Sequence, residues 1–140
     1  MNVQMALAEL TNLKREVEEE LKDLKDIDYN KNDREEEFLF IQLMEAVADL
    51  KEASHSLKYV SKPIAKTGPV QKRGEKIYLD DFELKTGDSI ECLVNDYWER
   101  KDVFLVNGEI YVEDLTDLIR AGSDQVIGRI RLTPDELSTR

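Results

Sequence analysis

The stretch "YLDDFELKTGDSIECLV", residues 78–94, gathers Asp80, Asp81, Glu83, Asp88 and Glu91 around the turn residue Gly87. Carboxylates at this density are the ligands a calcium or magnesium ion takes, given alternating donors along a loop and a closing glutamate. The spacing argues against such a site. Asp80 and Asp81 are adjacent, so at a hairpin tip their side chains diverge, and Asp88 and Glu91 belong to the next strand. These acids are expected as turn residues and outward strand positions, in water. His55 lies between Ser54 and Ser56 with no cysteine, nucleophile or carboxylate pattern around it, and is expected as a surface or half-buried residue. Cys92 alternates with Glu91 and is expected to point into the fold as a small apolar side chain. The motifs GxGxxG, GxxxxGK[ST], HExxH and GxSxG are all missing. The chain is therefore expected not to be an enzyme, and no metal or cofactor is expected.

The elements that position these residues follow from composition and period. The chain has 140 residues, 41% of them hydrophobic and 36% charged, with a net charge of −11. That acidity opposes nucleic acid, whose binding draws on Lys and Arg, and favours a basic protein partner. One cysteine excludes an internal disulfide, and no Cys/His set suits zinc. No apolar run reaches the ~20 residues of a membrane span and no signal-peptide core opens the chain, so a cytoplasmic protein is expected. Residues 1–61 carry 8 basic and 15 acidic side chains, net −7. Residues 62–76 carry 5 and 1, net +4, and residues 77–140 carry 7 and 15, net −8. The basic segment "KPIAKTGPVQKRGEK", 62–76, holds two prolines and reads as a linker between two differently built halves.

In residues 1–61, Val3, Leu7, Leu10, Leu13, Val17, Leu21, Leu24 and Ile27 recur at steps of three and four, a helix of about seven turns. After "DYNKND", Asp33 with Glu36 fits a capping box that opens a second helix, which must stop near Pro63. Two helices on a short polar loop pack as an antiparallel hairpin. "EEEFLFIQLM" is apolar on more than one face, so either the second half or a second chain is expected to cover it. In residues 77–140 the period changes to two. "KIYLDDFEL" reads as two short strands around Asp80-Asp81, and "SIECLV" as a third. "YWERKDVFLV" and "EIYVEDL" flank Asn107-Gly108 as a hairpin, and "QVIGRIRL" is the last strand. "DLTDLIRAGSD", 114–124, is expected as one helical turn or a loop. The fold class is α+β: an N-terminal antiparallel helical hairpin followed by a small SH3-like antiparallel β-barrel.

Two surfaces are candidates for binding. On the first helix Glu16, Glu19, Glu20, Asp23 and Asp26 share one broad face, about 130° from the apolar stripe. They are either a solvated face or a phosphate-mimicking one. Five charges over about 15 Å of helix are sparser than duplex DNA, with one per ~1.7 Å, so a mimic also needs Glu35 and Glu36 of the second helix and the acidic barrel. The second surface is aromatic. Tyr97 and Trp98, beside Arg100 and Lys101, are either core or a partner anchor, since Trp, Tyr and Arg dominate interface hot spots.

The residues Tyr78, Leu79, Asp80, Phe82, Glu83, Leu84, Gly87, Ile90, Glu91, Leu93 and Trp98, with "GRIRL" after them, resemble a family. It is a small domain of unknown function found on plasmids and conjugative elements of Gram-positive bacteria. Its members often carry an acidic helical hairpin ahead of the barrel and a "sKPv" junction, which "VSKPIAKTG" resembles. Asp81 stands where the family has Gly, so Asp81 is expected to hold a positive φ. The resemblance implies a fold and a mobile-element habit. Acidic, motif-free proteins on such elements are often inhibitors of host defence, and this implies an anti-CRISPR protein that blocks a basic Cas9-type nuclease. The alternative is a dimeric structural or regulatory adaptor, joined through the hairpin, with a peptide-binding barrel. A third reading has the basic segment 62–76 touching nucleic acid, against the acidic charge on its flanks.

Overall fold

The structure is a computed structural model and describes residues 1–24, 26–115 and 126–140. It is α+β, and it divides into two compact units, Met1–Ser61 and Lys62–Arg140.

The first unit is two helices. α1, Val3–Asp23, starts at Asn2, whose side chain accepts a hydrogen bond from the Met5 amide at 2.9 Å. It stops four residues short of the stripe's expected end at Ile27. The residues that follow, Asp26, Ile27, Asp28, Tyr29 and Asn30, are all weak helix formers. α2, Arg34–Ser61, begins at Asp33, whose carboxylate accepts from the amides of Glu35 (3.0 Å) and Glu36 (3.2 Å). Only half of the expected capping box forms, because the Asp33 amide donates to the Asn30 carbonyl at 3.1 Å instead. Asp33→Ala should cost the hairpin about 1 kcal/mol, read as a lower midpoint in thermal melting of helical circular dichroism. Ser61 precedes Lys62-Pro63, where the helix was due to stop. The pair is antiparallel: Leu10 and Leu57 line one groove with Val17 and Leu50, and Tyr29 stacks on Phe40 at 4.1 Å beside the loop. Neither helix is well covered. No residue of α1 is buried, and in α2 only Ser54 is.

The second unit is a seven-stranded antiparallel sheet in the order β3-β2-β1-β7-β4-β5-β6. The strands are β1 (Ile64–Arg73), β2 (Lys76–Leu79), β3 (Phe82–Glu83), β4 (Ser89–Val94), β5 (Tyr97–Val106), β6 (Glu109–Val112) and β7 (Val126–Arg131). A short helix α3, Pro134–Ser138, follows, closed by a capping box between Thr133 and Glu136. The sheet curls into a half-barrel, so that β6 returns to the β1–β2 turn: the Ile110 amide donates to the Glu75 carbonyl at 3.3 Å and Lys72 pairs with Glu109. Its concave face holds the core, with Ile77, Leu79, Leu84, Ile90, Cys92 and Ile130 almost wholly buried.

The segment read as a linker is β1, an interior strand between β2 and β7. Its Gly68-Pro69 pair marks a close approach. A Cβ on Gly68 would lie 2.8 Å from the Asp80 Cβ, and the Pro69 carbonyl accepts from the Asp80 amide at 2.8 Å. Proline is tolerated there because its polar groups point to the β2 side, where the ladder ends at Val70 and Leu79, while Ile127 of β7 is its partner on the other side. At the β2–β3 tip the left-handed residue is Asp80, with φ of 57°, and not Asp81 as the family pattern implied. Asn107 (51°) and Gly108 (80°) both take positive φ, the geometry of a tight hairpin turn between β5 and β6. Of "DLTDLIRAGSD" only Asp114 and Leu115 are among the described residues.

Candidate interaction surfaces

Helical geometry places Glu16, Glu19, Glu20 and Asp23 within an arc of about 100° on α1, spread over roughly 10 Å of axis. All four are exposed. Asp26 is exposed as well, but it lies beyond the end of α1 and so off the helical face. Glu35 and Glu36 occupy the first turn of α2, exposed and next to the same loop. An antiparallel hairpin therefore gathers Glu19, Glu20, Asp23, Asp26, Glu35 and Glu36 at its closed end. Among the described residues none of these side chains, nor that of Glu16, takes part in an ion pair or hydrogen bond.

The acids of the second unit are mostly bound to cations. Lys66 reaches Asp81 (2.6 Å) and Asp80 (3.3 Å), Lys76 reaches Glu83 (3.4 Å), and Lys72 pairs with Glu109. Lys62 meets Glu136 at 2.9 Å and, with the Thr133 amide, holds that carboxyl down at about 2. The ammonium of Lys66 lowers the Asp81 carboxyl, and the two aspartates raise Lys66 in turn. Each lysine of segment 62–76 is thus neutralised by an acid of residues 77–140, and Arg73 lies over the Tyr78 ring at 5.0 Å. Four of the five positive charges of this segment are thus paired with acids of the same unit.

Two acids of residues 78–94 do not face open water as expected. Asp88 accepts both Arg140 guanidinium nitrogens at 2.6 Å, and its Oδ2 also accepts the Lys85 amide at 2.7 Å. Glu91 is buried on the convex face of the sheet, its side chain 9% exposed. Its Oε1 accepts from the Arg129 Nε at 2.8 Å and its Oε2 from the Arg131 Nε at 2.7 Å. Strand alternation does turn Glu91 away from the core, but two long arginines from β7 close over it. Among the described residues no three His, Cys, Asp or Glu side chains stand together as metal ligands would.

Tyr97 is 54% exposed, and a hydrogen bond to Glu99 holds its hydroxyl above its usual range. Trp98 is half-buried and stacks under the Arg129 guanidinium at 4.0 Å. Lys101 is itself buried, paired with Asp114 (3.0 Å) and Glu99 (3.1 Å), which raise its pKa. Cys92 sits in the core as expected, and burial pushes its thiol to about 11, so it is no thiolate at neutral pH.

One polar contact in the hairpin escaped the sequence reading. The buried Ser54 hydroxyl donates to Glu18 Oε1 at 2.6 Å and draws that carboxyl below its usual range. The signal was present: Ser54 follows Leu50 by four residues and precedes Leu57 by three, on the helix face that carries both. His55 lines a second shallow groove with Glu18 and Ser54, and there the Ser54 hydroxyl donates to Glu18. No helix among the described residues is long and apolar enough to cross a membrane. Comparison with protein-family models, with curated proteins and with solved structures finds no match to this chain.

Proposed function

We propose that the chain is a non-enzymatic, acidic binding protein whose helical hairpin occupies a basic surface of a nucleic-acid-handling protein and blocks it. The observation that carries this reading is the division of charge. The carboxylates at the closed end of the hairpin are exposed and unpaired among the described residues, whereas those of the sheet unit are mostly engaged. The outward field thus comes chiefly from the hairpin, where residues 1–61 contribute net −7. Charges left free in this way steer association and make it sensitive to salt. The concrete form is an anti-CRISPR protein of a mobile element, acting on a Cas9-type nuclease whose nucleic-acid channel and PAM-reading arginines are basic. The curled sheet is then an SH3-like barrel that carries the hairpin.

The triple variant Glu19→Lys, Asp23→Lys, Asp26→Lys should weaken inhibition of nuclease cleavage at least tenfold and flatten its dependence on salt. Inhibition by the variant equal to that of the parent would remove the acidic surface from the mechanism. A second reading, a dimeric adaptor joined through the hairpin, is favoured by Phe38 (54% exposed) and Ile41 (47% exposed) on α2. Light scattering separates the two, since the adaptor requires a dimer.

A further inference from the structure

The hairpin carries, besides its acidic end, a mostly apolar groove between its helices, lined by Leu10, Leu13, Val17, Leu50, Ala53 and Leu57 together with Lys14 and Ser54, and enclosing about 140 Å³. Leu10, Leu13 and Leu50 are each 44–53% exposed, far above what a finished helix pair leaves in water. Heptad steps join the lining to its neighbours: Leu10 and Val17 of α1 lead to Leu24, which caps that helix, and Leu43 of α2 leads to Leu50 and Leu57. Leu24 (43%) and Leu43 (51%) are exposed too, so apolar surface continues past the groove toward the closed end. Such a seam between two helices is the seat of a third helix.

Charge selects the occupant. Glu9 and Glu16 precede Leu10 and Val17 on α1, and Asp49 precedes Leu50 on α2, while the lining cation Lys14 is already paired with Glu18 at 3.4 Å, so both rims carry exposed carboxylates. A second copy would set net −7 against net −7 across this seam. A helix with leucine-like side chains on one face and Lys or Arg on its flanks would satisfy both groove and rims. We infer that the groove takes a basic amphipathic helix of the partner protein, completing a three-helix bundle. This rests on the proposed function and specifies which part of the basic partner the hairpin holds.

The test uses the full chain and a labelled synthetic peptide of about 18 residues, enough to run the groove at ~1.5 Å per residue. Its leucines follow i, i+3, i+4, i+7 and its other positions are lysine. A scrambled peptide of the same composition and a lysine homopolymer are the comparisons. Fluorescence anisotropy should show the amphipathic peptide binding at least tenfold tighter than either. Leu10→Asn with Leu50→Asn should lower that affinity at least tenfold, while circular dichroism reports the parent helix content. Equal binding of all three peptides, or no effect of the groove variant, overturns the inference. So does a parent chain that sediments as a dimer and a groove variant that sediments as a monomer, which makes a second copy the occupant. The two readings fail separately. Groove-dependent peptide selectivity with undiminished inhibition by the Glu19, Asp23, Asp26 reversal strikes only the proposed function. Loss of inhibition by that reversal without peptide selectivity strikes only the groove.

Discussion

Glu91→Ala should destabilise the sheet unit by about 3 kcal/mol, because it leaves two largely covered guanidinium groups without their counter-charge. The side chains of Arg129 and Arg131 are 19% and 20% exposed, and both bond the one carboxylate that is 9% exposed. For a unit of this size each kcal/mol lowers the melting temperature by roughly 4–8 °C, so the shift is large enough to read directly. Glu91→Gln keeps one acceptor and should fall between parent and alanine variant. The protein has a single tryptophan, and Arg129 stacks on it, so Trp98 fluorescence in the folded alanine variant should change as Arg129 loses its anchor. A loss under about 1 kcal/mol would mean that water already screens the cluster as it does a surface pair.

Leu79→Ala should cost about 3–5 kcal/mol, seen as a lower urea midpoint at unchanged slope. Leu79 is 0% exposed and sits on β2 between β1 and β3, its backbone fixed by Val70 on one side and Phe82 on the other. The packing over it is tight. A Cβ on Gly128 of β7 would come within 3.2 Å of Leu79 Cδ1 and 2.7 Å of Val70 Cγ2. With paired strands on both flanks the site is poorly able to collapse into the space that alanine leaves, which puts the cost in the upper part of the range for a buried leucine. A cost below about 2 kcal/mol would show that the sheet relaxes around the cavity.

What could be read from the sequence was local. Period-two alternation found β4 and β7, and Asn107-Gly108 found the β5–β6 hairpin, because a turn that needs two positive φ values names its own residues. β1 was hidden for the same local reason: lysines, glycine and proline spell a linker until the acids that neutralise them, far along the chain, are known. Glu91 shows the limit of alternation. The rule gave its side of the sheet correctly, yet whether that side meets water depends on Arg129 and Arg131, 38 and 40 residues away. Asp88 is held by Arg140, 52 residues on, and nothing near either residue announces the pair. Asp26 missed its place for a smaller reason, since the apolar stripe outlasts the helix that should carry it.

The sheet ends in two of its shortest strands, β3 with two residues and β6 with four. A long, flat, unpaired border is a template on which a second chain adds by backbone pairing, the first step toward amyloid-like growth. Here β6 already gives its Ile110 amide to the Glu75 carbonyl, and β3 offers only two residues, one of them Glu83 tied to Lys76. The curl that closes the half-barrel therefore also blunts its borders. The described strands thus leave a second chain little border on which to pair.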